Sequence, residues 1–533
     1  MNWNLSPAAR RVVVGVMACM AMLTVRTAGA SADPSGLQAV RSNCSGCHRE
    51  IRPGHFQRIS EERKTPEGWA MTIFRMRHVH GVHLTPQAQA AIIRYLSDVQ
   101  GLAPSETRPA RYALERAPNV PDMKLPGDLG AMCGRCHSLA RIALQRRNAK
   151  EWLRLINFHV GQYPSLEYQE GSRDIHWWRI ASTKLPGQLA RLFPLHSAAW
   201  HAWKDVPHAS LAGQWVVYGH APGRGAYYGT ARILAAGPAD YRARYTLRYA
   251  DGDVLAGDST AFVYTGYQWR GSGSLDGRPV REVYFASPSG NRITGRWFED
   301  EHAEIGGAWR AVRAQGRARL LAVIPAALRA GTSAEVALIG RSLSGPVRLG
   351  PGVTVQGVTR QPYGLLVKVR VTPGARVGYR TVTVGHVVSL AQRFAVYRRI
   401  EAVAVKPAYA IARLGGGTLA PVAAQFEAVG YTYVSGPHGA RQRIRLGDVP
   451  VSWQVVPFDA VAKQHDDVHF AGHMDQNGRF MPALAGPDPA RQFAADNTGN
   501  LFVVATLAGT SAPVSGRAHL IVTVQRWINP PIY

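Results

Sequence analysis

The chain is poor in several things, and each shortage narrows what it can be. Cysteine is scarce, with five among 533 residues. Cys19 lies in an N-terminal apolar stretch and the other four form two close pairs, so no disulfide framework is expected. A chain of this length can bury enough surface to fold without one. Carboxylates are also scarce: 35 Asp and Glu stand against 62 Lys and Arg, a formal charge of +27. The cations are mostly arginines scattered singly or in pairs, with no Lys/Arg-rich run, which argues against a nucleic-acid footprint and for a solvated basic surface or an acidic protein partner. Long apolar runs are missing as well. Val12 to Val25 is shorter than the roughly twenty residues a spanning helix needs, and no later segment approaches that length. No H-E-x-x-H or P-loop occurs, and Gly340-Arg341-Ser342-Leu343-Ser344-Gly345 is not a nucleophile elbow. No catalytic residue is therefore assigned to this chain.

At the N-terminus, Arg10 and Arg11 precede the Val12 to Val25 run, and Ala30-Ser31-Ala32 supplies small residues. This pattern predicts a signal peptide over 1–32, cleaved near Ala32 and exported by the general secretory route. Cleavage would remove three positive charges, those of Arg10, Arg11 and Arg26.

The two cysteine pairs carry the chemistry. Cys44-Ser45-Gly46-Cys47-His48 recurs as Cys133-Gly134-Arg135-Cys136-His137. A lone C-x-x-C could be a redox dithiol or half of a zinc site, but a trailing histidine in both copies reads as c-type haem attachment. Two thiols three positions apart each bond one haem edge, and the adjacent imidazole reaches the iron. Cys44, Cys47, Cys133 and Cys136 are the expected attachment points of two covalent haems c, with His48 and His137 as proximal ligands.

Each motif is followed by a tryptophan-bearing helix, with Trp69 in Glu67 to Met76 and Trp152 in Lys150 to His159. Aligning the tryptophans sets Ile73 on Ile156 and Met76 on His159. Seven residues are two helical turns, so Met76 and His159 project from the same side as the indoles. Both side chains ligate haem iron, which makes Met76 and His159 the candidate sixth ligands. His78, His80 and His83 remain alternatives to Met76, and His176 to His159. Trp69 and Trp152 read as haem-packing aromatics. A methionine on the first iron and a histidine on the second would set the first potential above the second and make the first haem the exit.

Residues 33–103 read as one small helical cytochrome unit, with Gly36 to Ser42 leading into the first motif and Thr85 capping a helix that begins at Pro86. Pro104 to Pro126, with five prolines, reads as a linker or covering loop to a second unit over 104–204, in which Asp174 to Phe193 continues helical. From about 205 the pattern turns to alternating strands such as Tyr241 to Tyr249, turning at Asp251-Gly252. The expectation is an antiparallel β-barrel over 205–319 with a filled interior. A small β-sandwich over 320–400 follows, with strands at Glu335 to Gly340, Val353 to Val355, Leu365 to Val371 and Tyr379 to Val384. A larger one fills 401–533, with strands at Ala424 to Tyr433, Val449 to Val456, Leu501 to Leu507 and His519 to Trp527. His465, His469 and His473, near Asp466 and Asp467 in a loop-like segment, suggest a metal only superficially. The fold class is multidomain α + β: a helical dihaem cytochrome c domain, an antiparallel barrel and two β-sandwiches.

Three features together resemble a known family. They are the two haem motifs with the tryptophan-plus-seven pattern, the run from Met76 to Pro86, and Asn157-Phe158-His159-Val160-Gly161-Gln162-Tyr163-Pro164-Ser165-Leu166-Glu167-Tyr168-Gln169. They are similar to the α subunit of quinohaemoprotein amine dehydrogenase, and the order of one barrel and two immunoglobulin-like domains is similar too. The resemblance implies a periplasmic heterotrimer with a β-propeller subunit and a small γ subunit. In that family γ carries a cysteine tryptophylquinone that oxidises primary amines to aldehydes, and α passes the electrons through two haems to a soluble cytochrome c or blue copper protein. Two rivals are a dihaem cytochrome c peroxidase-like enzyme and a dihaem cytochrome fused to β-sandwich binding modules.

Overall fold

Proline-led helices with threonine caps build the N-terminal unit. The computed structural model describes residues 34–525, except 164, 172–173, 390–393, 436–439, 493–495 and 510–511. The signal peptide expected over 1–32, with Cys19, lies outside the described residues. Helices α1 (Pro34–Cys44), α2 (Pro66–His80) and α3 (Pro86–Val99) surround a core of Val40, Phe56, Trp69, Ile73, Ile92, Tyr95 and Leu96. Thr65 and Thr85 cap α2 and α3, their hydroxyls accepting from the amides of Gly68 and Ala88, and a proline opens each helix. Gly36 lets α1 approach α3, since a Cβ there would sit 2.5 Å from the Tyr95 Cβ.

Short strands β1 (Glu50–Arg52), β2 (His55–Phe56) and β3 (Glu62–Lys64) link α1 to α2. The proline-rich stretch is more than a linker: it contains helices α4 (Pro104–Thr107) and α5 (Arg111–Leu114). The second unit follows with α6 (Asp128–Cys133), α7 (Ala140–Ala143), β4 (Gln145–Arg147), α8 (Ala149–Gln162), α9 (Ser165–Gly171), α10 (Trp177–Thr183), α11 (Leu185–Leu192) and α12 (Ala198–Lys204). Strands β3 and β4 pair antiparallel, Arg63 opposite Arg146, and join the two units.

Two arginines placed face to face in a buried ladder need a counter-charge, and Glu106 of α4 provides it. Its carboxylate lies 2.9 Å from Arg63 and 3.2 Å from Arg146, with all three side chains at most 7% exposed. Burial opposes the charge, but the hydrogen bond from Arg63 and the field of both arginines hold the carboxyl at about 2.

Eight antiparallel strands then close a barrel: β5 (Gly213–Ala221), β6 (Gly225–Ala235), β7 (Asp240–Tyr249), β8 (Val254–Tyr264), β9 (Gln268–Leu275), β10 (Arg278–Ala286), β11 (Arg292–Glu299) and β12 (Gly306–Arg313), the last pairing with β5. Alternation along β5 sends Trp215 and Val217 into the core shared with the helical region, and Val216 against Leu321 and Ile339 of the next domain. Tyr227, Tyr245, Tyr284 and Trp309 pack against one another in that core. Buried Glu282 accepts from Tyr245 Oη at 2.7 Å, Ser259 Oγ at 3.0 Å and Trp269 Nε1 at 2.8 Å. The interior is filled, as the sequence implied.

Beyond it, strands Arg319–Ile324, Ser333–Arg341, Gly364–Val371 and Val353–Gln361 form a four-stranded sheet, faced by smaller sheets around one apolar core. The strand expected at Tyr379 to Val384 is two pieces, Gly378–Arg380 and Thr383–Val384, in different sheets. In the last domain, Tyr409–Arg413, Ser515–Thr523, Gly499–Leu507 and Val451–Pro457 make one sheet. The final strand thus ends at Thr523, and Trp527 lies outside the described residues. The segment read as loop-like holds two short helices, Ala460–Gln464 and Asp467–Phe470. Asp467 there accepts from Arg491 and from the Asn500 amide. Among the described residues, the only clustered set of metal-type ligands is His220, Glu427 and Asp448; the three histidines at 465, 469 and 473 do not form one.

Candidate functional site

Both C-x-x-C-H motifs follow the C-terminus of a helix. In the first, the amides of Cys47 and His48 bond back to the Cys44 carbonyl at 3.2 and 2.8 Å, so the pentapeptide is a single helical turn. In the second, α6 ends at Cys133 and the turn is anchored from outside. Asp122, from the proline-rich stretch, accepts from Ser138 Oγ and from the Leu139 amide, both at 2.7 Å. That stretch therefore fixes the residue after His137.

The histidines share one feature. The Nδ1 atoms of His48, His137 and His159 lie 3.1, 3.0 and 2.6 Å from the backbone oxygens of Gln57, Ser138 and Leu155. A carbonyl oxygen only accepts, so each Nδ1 carries the proton and each Nε2 keeps its lone pair. This is the tautomer and orientation that a metal-ligating imidazole needs. Burial also lowers the pKa of His137 and His159, which keeps both neutral. His78 shows the same bond, to the Phe74 carbonyl at 2.9 Å, but its ring is exposed and stacked on Phe74.

The second site is a cavity of about 190 Å³ whose walls include Cys133, Cys136, His137, Trp152, Ile156 and His159. Four of the expected haem contacts and the expected sixth ligand thus meet in one enclosure, closed on a further side by Trp177 of α10 and Leu185 of α11. His176 stands next to Trp177 and is exposed. Trp152 is 2% exposed, and its indole N–H has no partner. An orphan donor on a largely apolar part of the wall offers a place for a ligand's acceptor atom; the second Glu67 carboxylate oxygen, on the same lining, is also without a partner. Burial pushes the Cys133 thiol up to about 11, unlike the low-pKa thiol of a reactive dithiol. Two thiols, two Nε2 lone pairs and an apolar wall with one free donor fit a c-type haem.

The first site is shallower. Cys44 packs against the core that holds Trp69 and Ile73, and burial pushes its thiol up to about 11 as well. Cys47 is exposed and His48 half-buried. Trp69, 1% exposed, donates from Nε1 to the Gln100 carbonyl at 3.1 Å, so it is spoken for where Trp152 is not. Met76 lies one turn beyond Ile73 on α2, half-buried, while His78, His80 and His83 are exposed.

Helix α2 serves both sites. Trp69 and Ile73 face the first core, whereas Gly68, Met71 and Arg75 line the second cavity, with Lys64 and Glu67 beside them. Sequence reasoning missed this shared wall, because α2 is polar on the face that the second unit covers. Lys64 is 3% exposed; burial pulls it down to about 7 against the opposing pull of Glu62, 2.8 Å away.

Four consecutive segments match family models. Residues 35–200 match the haem-binding domain of the quinohemoprotein amine dehydrogenase alpha subunit, and 208–314, 317–398 and 403–532 match its domains II, III and IV. The chain belongs to the quinohemoprotein amine dehydrogenase alpha-subunit family. It is thus a member of a family of subunits of a multi-subunit amine dehydrogenase, with a haem-binding N-terminal domain. No curated protein matches it. Among solved structures it is similar to a de novo designed fluorescence-activating beta barrel, at 17% identity over 19% of this chain and 92% of that one, TM-score 0.17. It is also similar to a mouse clustered protocadherin fragment, at 11% over 44% and 77%, TM-score 0.16. A third likeness is to a protein of the Bacteroides ovatus mixed-linkage glucan utilization locus, at 11% over 58% and 60%, TM-score 0.17. No helix among the described residues is long and apolar enough to cross a membrane.

Proposed function

We propose that this alpha-subunit chain is the dihaem electron-transfer subunit of a periplasmic amine dehydrogenase. It accepts electrons from a cysteine tryptophylquinone on a small partner subunit and passes them to a soluble cytochrome c or blue copper protein. A β-propeller subunit completes the heterotrimer. The observation that carries the reading is the pair of C-x-x-C-H turns, each followed by a tryptophan helix, with Nδ1 of His48, His137 and His159 each held on a backbone carbonyl.

Bound haem supplies one-electron chemistry. The chain's own residues do the rest. Cys44 and Cys47, and Cys133 and Cys136, would attach the two groups, and His48 and His137 would each ligate an iron. Met76 would ligate the first iron as well and His159 the second. Trp69 and Trp152 would pack against the haems. The more buried second site suits the receiving haem, while the shallow first site suits delivery to a diffusing acceptor. The methionine ligand, by raising the first potential, makes that direction downhill.

The test is to purify the native complex, stain for quinone, and add a primary amine without oxygen. Both haems should reduce, and only when the small quinone-bearing partner is present. Absence of reduction in the intact complex would overturn the reading.

A further inference from the structure

The second cavity carries more positive charge than its own carboxylates answer. Arg75 of α2 and Arg141 of α7 both line it, each half-buried. Arg75 stacks on the Phe158 ring at 5.1 Å and donates to Thr72 Oγ1 at 3.3 Å. Among the described residues, neither guanidinium forms an ion pair with a carboxylate. Glu67, the carboxylate on the cavity wall, is bound to Arg270 of the barrel. Glu62, the acid whose field reaches Arg75, is bound to Arg147 and Lys64. Half-buried cations without counter-ions are destabilising, and the same wall holds the orphan N–H of Trp152. Two guanidiniums without a paired carboxylate and one unpartnered indole N–H, on one largely apolar cavity, call for a ligand with an apolar body and two carboxylates.

We propose that Arg75 and Arg141, with the indole N–H of Trp152, form the carboxylate pocket that receives the two propionates of the second haem, and that Arg75 thereby joins that haem to the first site. This rests on the dihaem reading above. Arg75 belongs to the first unit and is next in the chain to Met76, so the guanidinium that neutralises the second haem's periphery is covalently continuous with the sixth ligand of the first. The shared wall becomes a route as well as a closure: carboxylate, guanidinium, one peptide unit, methionine.

The experiment uses the full chain matured with haem. Haem content per chain, measured first, tests the dihaem reading separately, because one attached haem would sink that reading and the pocket with it. With two haems present, Arg75→Gln and Arg141→Gln should each lower the midpoint potential of the second haem. Loss of a nearby positive charge favours the ferric form, by about tenfold in the reduced-to-oxidised ratio, or 59 mV for one electron. The first haem should move less. Arg75→Lys and Arg141→Lys should restore the potential. Trp152→Phe should shift the propionate bending mode in the resonance Raman spectrum through loss of a hydrogen bond, with a smaller change in potential. If Arg75→Gln fails to fold, Arg75→Lys and Arg141→Gln still decide the matter. An unmoved second potential in the glutamine variants that fold with two haems, or a larger shift in the first haem than in the second, would overturn the proposal.

Discussion

The two C-x-x-C-H units start from the same local plan and end in different environments. Each has a C-x-x-C-H turn, a capped helix and a buried tryptophan one turn in. The first tryptophan donates to a backbone carbonyl and the first attachment turn lies near the surface; the second tryptophan keeps its donor free inside a cavity. The difference arises because α2 of the first unit is used twice, as a core helix of its own unit and as a wall for its neighbour. Nothing comparable covers the first motif among the described residues. On the proposed reading, this asymmetry gives a more buried site for receipt of electrons and a more accessible one for delivery.

Breaking the junction between the units should have the largest effect. Glu106→Ala leaves Arg63 and Arg146 buried without a counter-charge and should cost about 3–5 kcal/mol, read as a fall in the thermal unfolding midpoint. A loss below about 1 kcal/mol would show that the units hold together without it. Acid should have a similar but graded effect. The Glu106 carboxyl is held at about 2, below its ordinary value of 4.5. Its stabilisation is therefore complete above about pH 4.5 and disappears as pH falls toward 2, on the order of 3 kcal/mol in all. Denaturant titrations of wild type and Glu106→Gln should differ by less than half as much at pH 3 as at pH 7.

The ligand difference can be erased separately. Met76→His should lower the first haem's potential by on the order of 100 mV, about 2.3 kcal/mol per electron, and abolish any sulfur-to-iron charge-transfer band. Two redox waves that stay equally separated would remove Met76 from the ligand set. The smallest effect concerns the paired helices themselves. Asn148 caps α8 by accepting from the Glu151 amide at 2.8 Å, as Thr65 caps α2. Asn148→Ala and Thr65→Ala should each cost about 1 kcal/mol in urea denaturation. Unequal losses would show that the doubly used α2 is held more by its neighbours than by its cap.

Much of this architecture is legible in the order and spacing of residues. The caps at Thr85 and Pro86, the barrel's alternation and the pairing of Trp69 with Trp152 are periodic or short-range signals, and physics at that range is written in spacing. Glu106 is not legible in that way. It sits in a proline-rich stretch that reads as a linker, and its partners are 43 and 40 residues away. Nor is Arg75, whose neighbours Phe74 and Arg77 are exposed and whose own burial comes from another unit. The split of the Tyr379 to Val384 strand follows the same rule, since β-propensity does not say which sheet a residue joins.

By itself, then, the sequence determined the two C-x-x-C-H motifs and their spacing to Trp69 and Trp152, which single out Met76 and His159 as ligand candidates, and the order of a helical region before a barrel and further β domains. Those depend on residue type and on intervals of a few residues. The tertiary structure decided which site is enclosed, that one helix walls both units, and that two arginines and an indole converge on the second cavity. These are meetings of side chains far apart in the chain. Burial and charge balance select them only after the chain has folded.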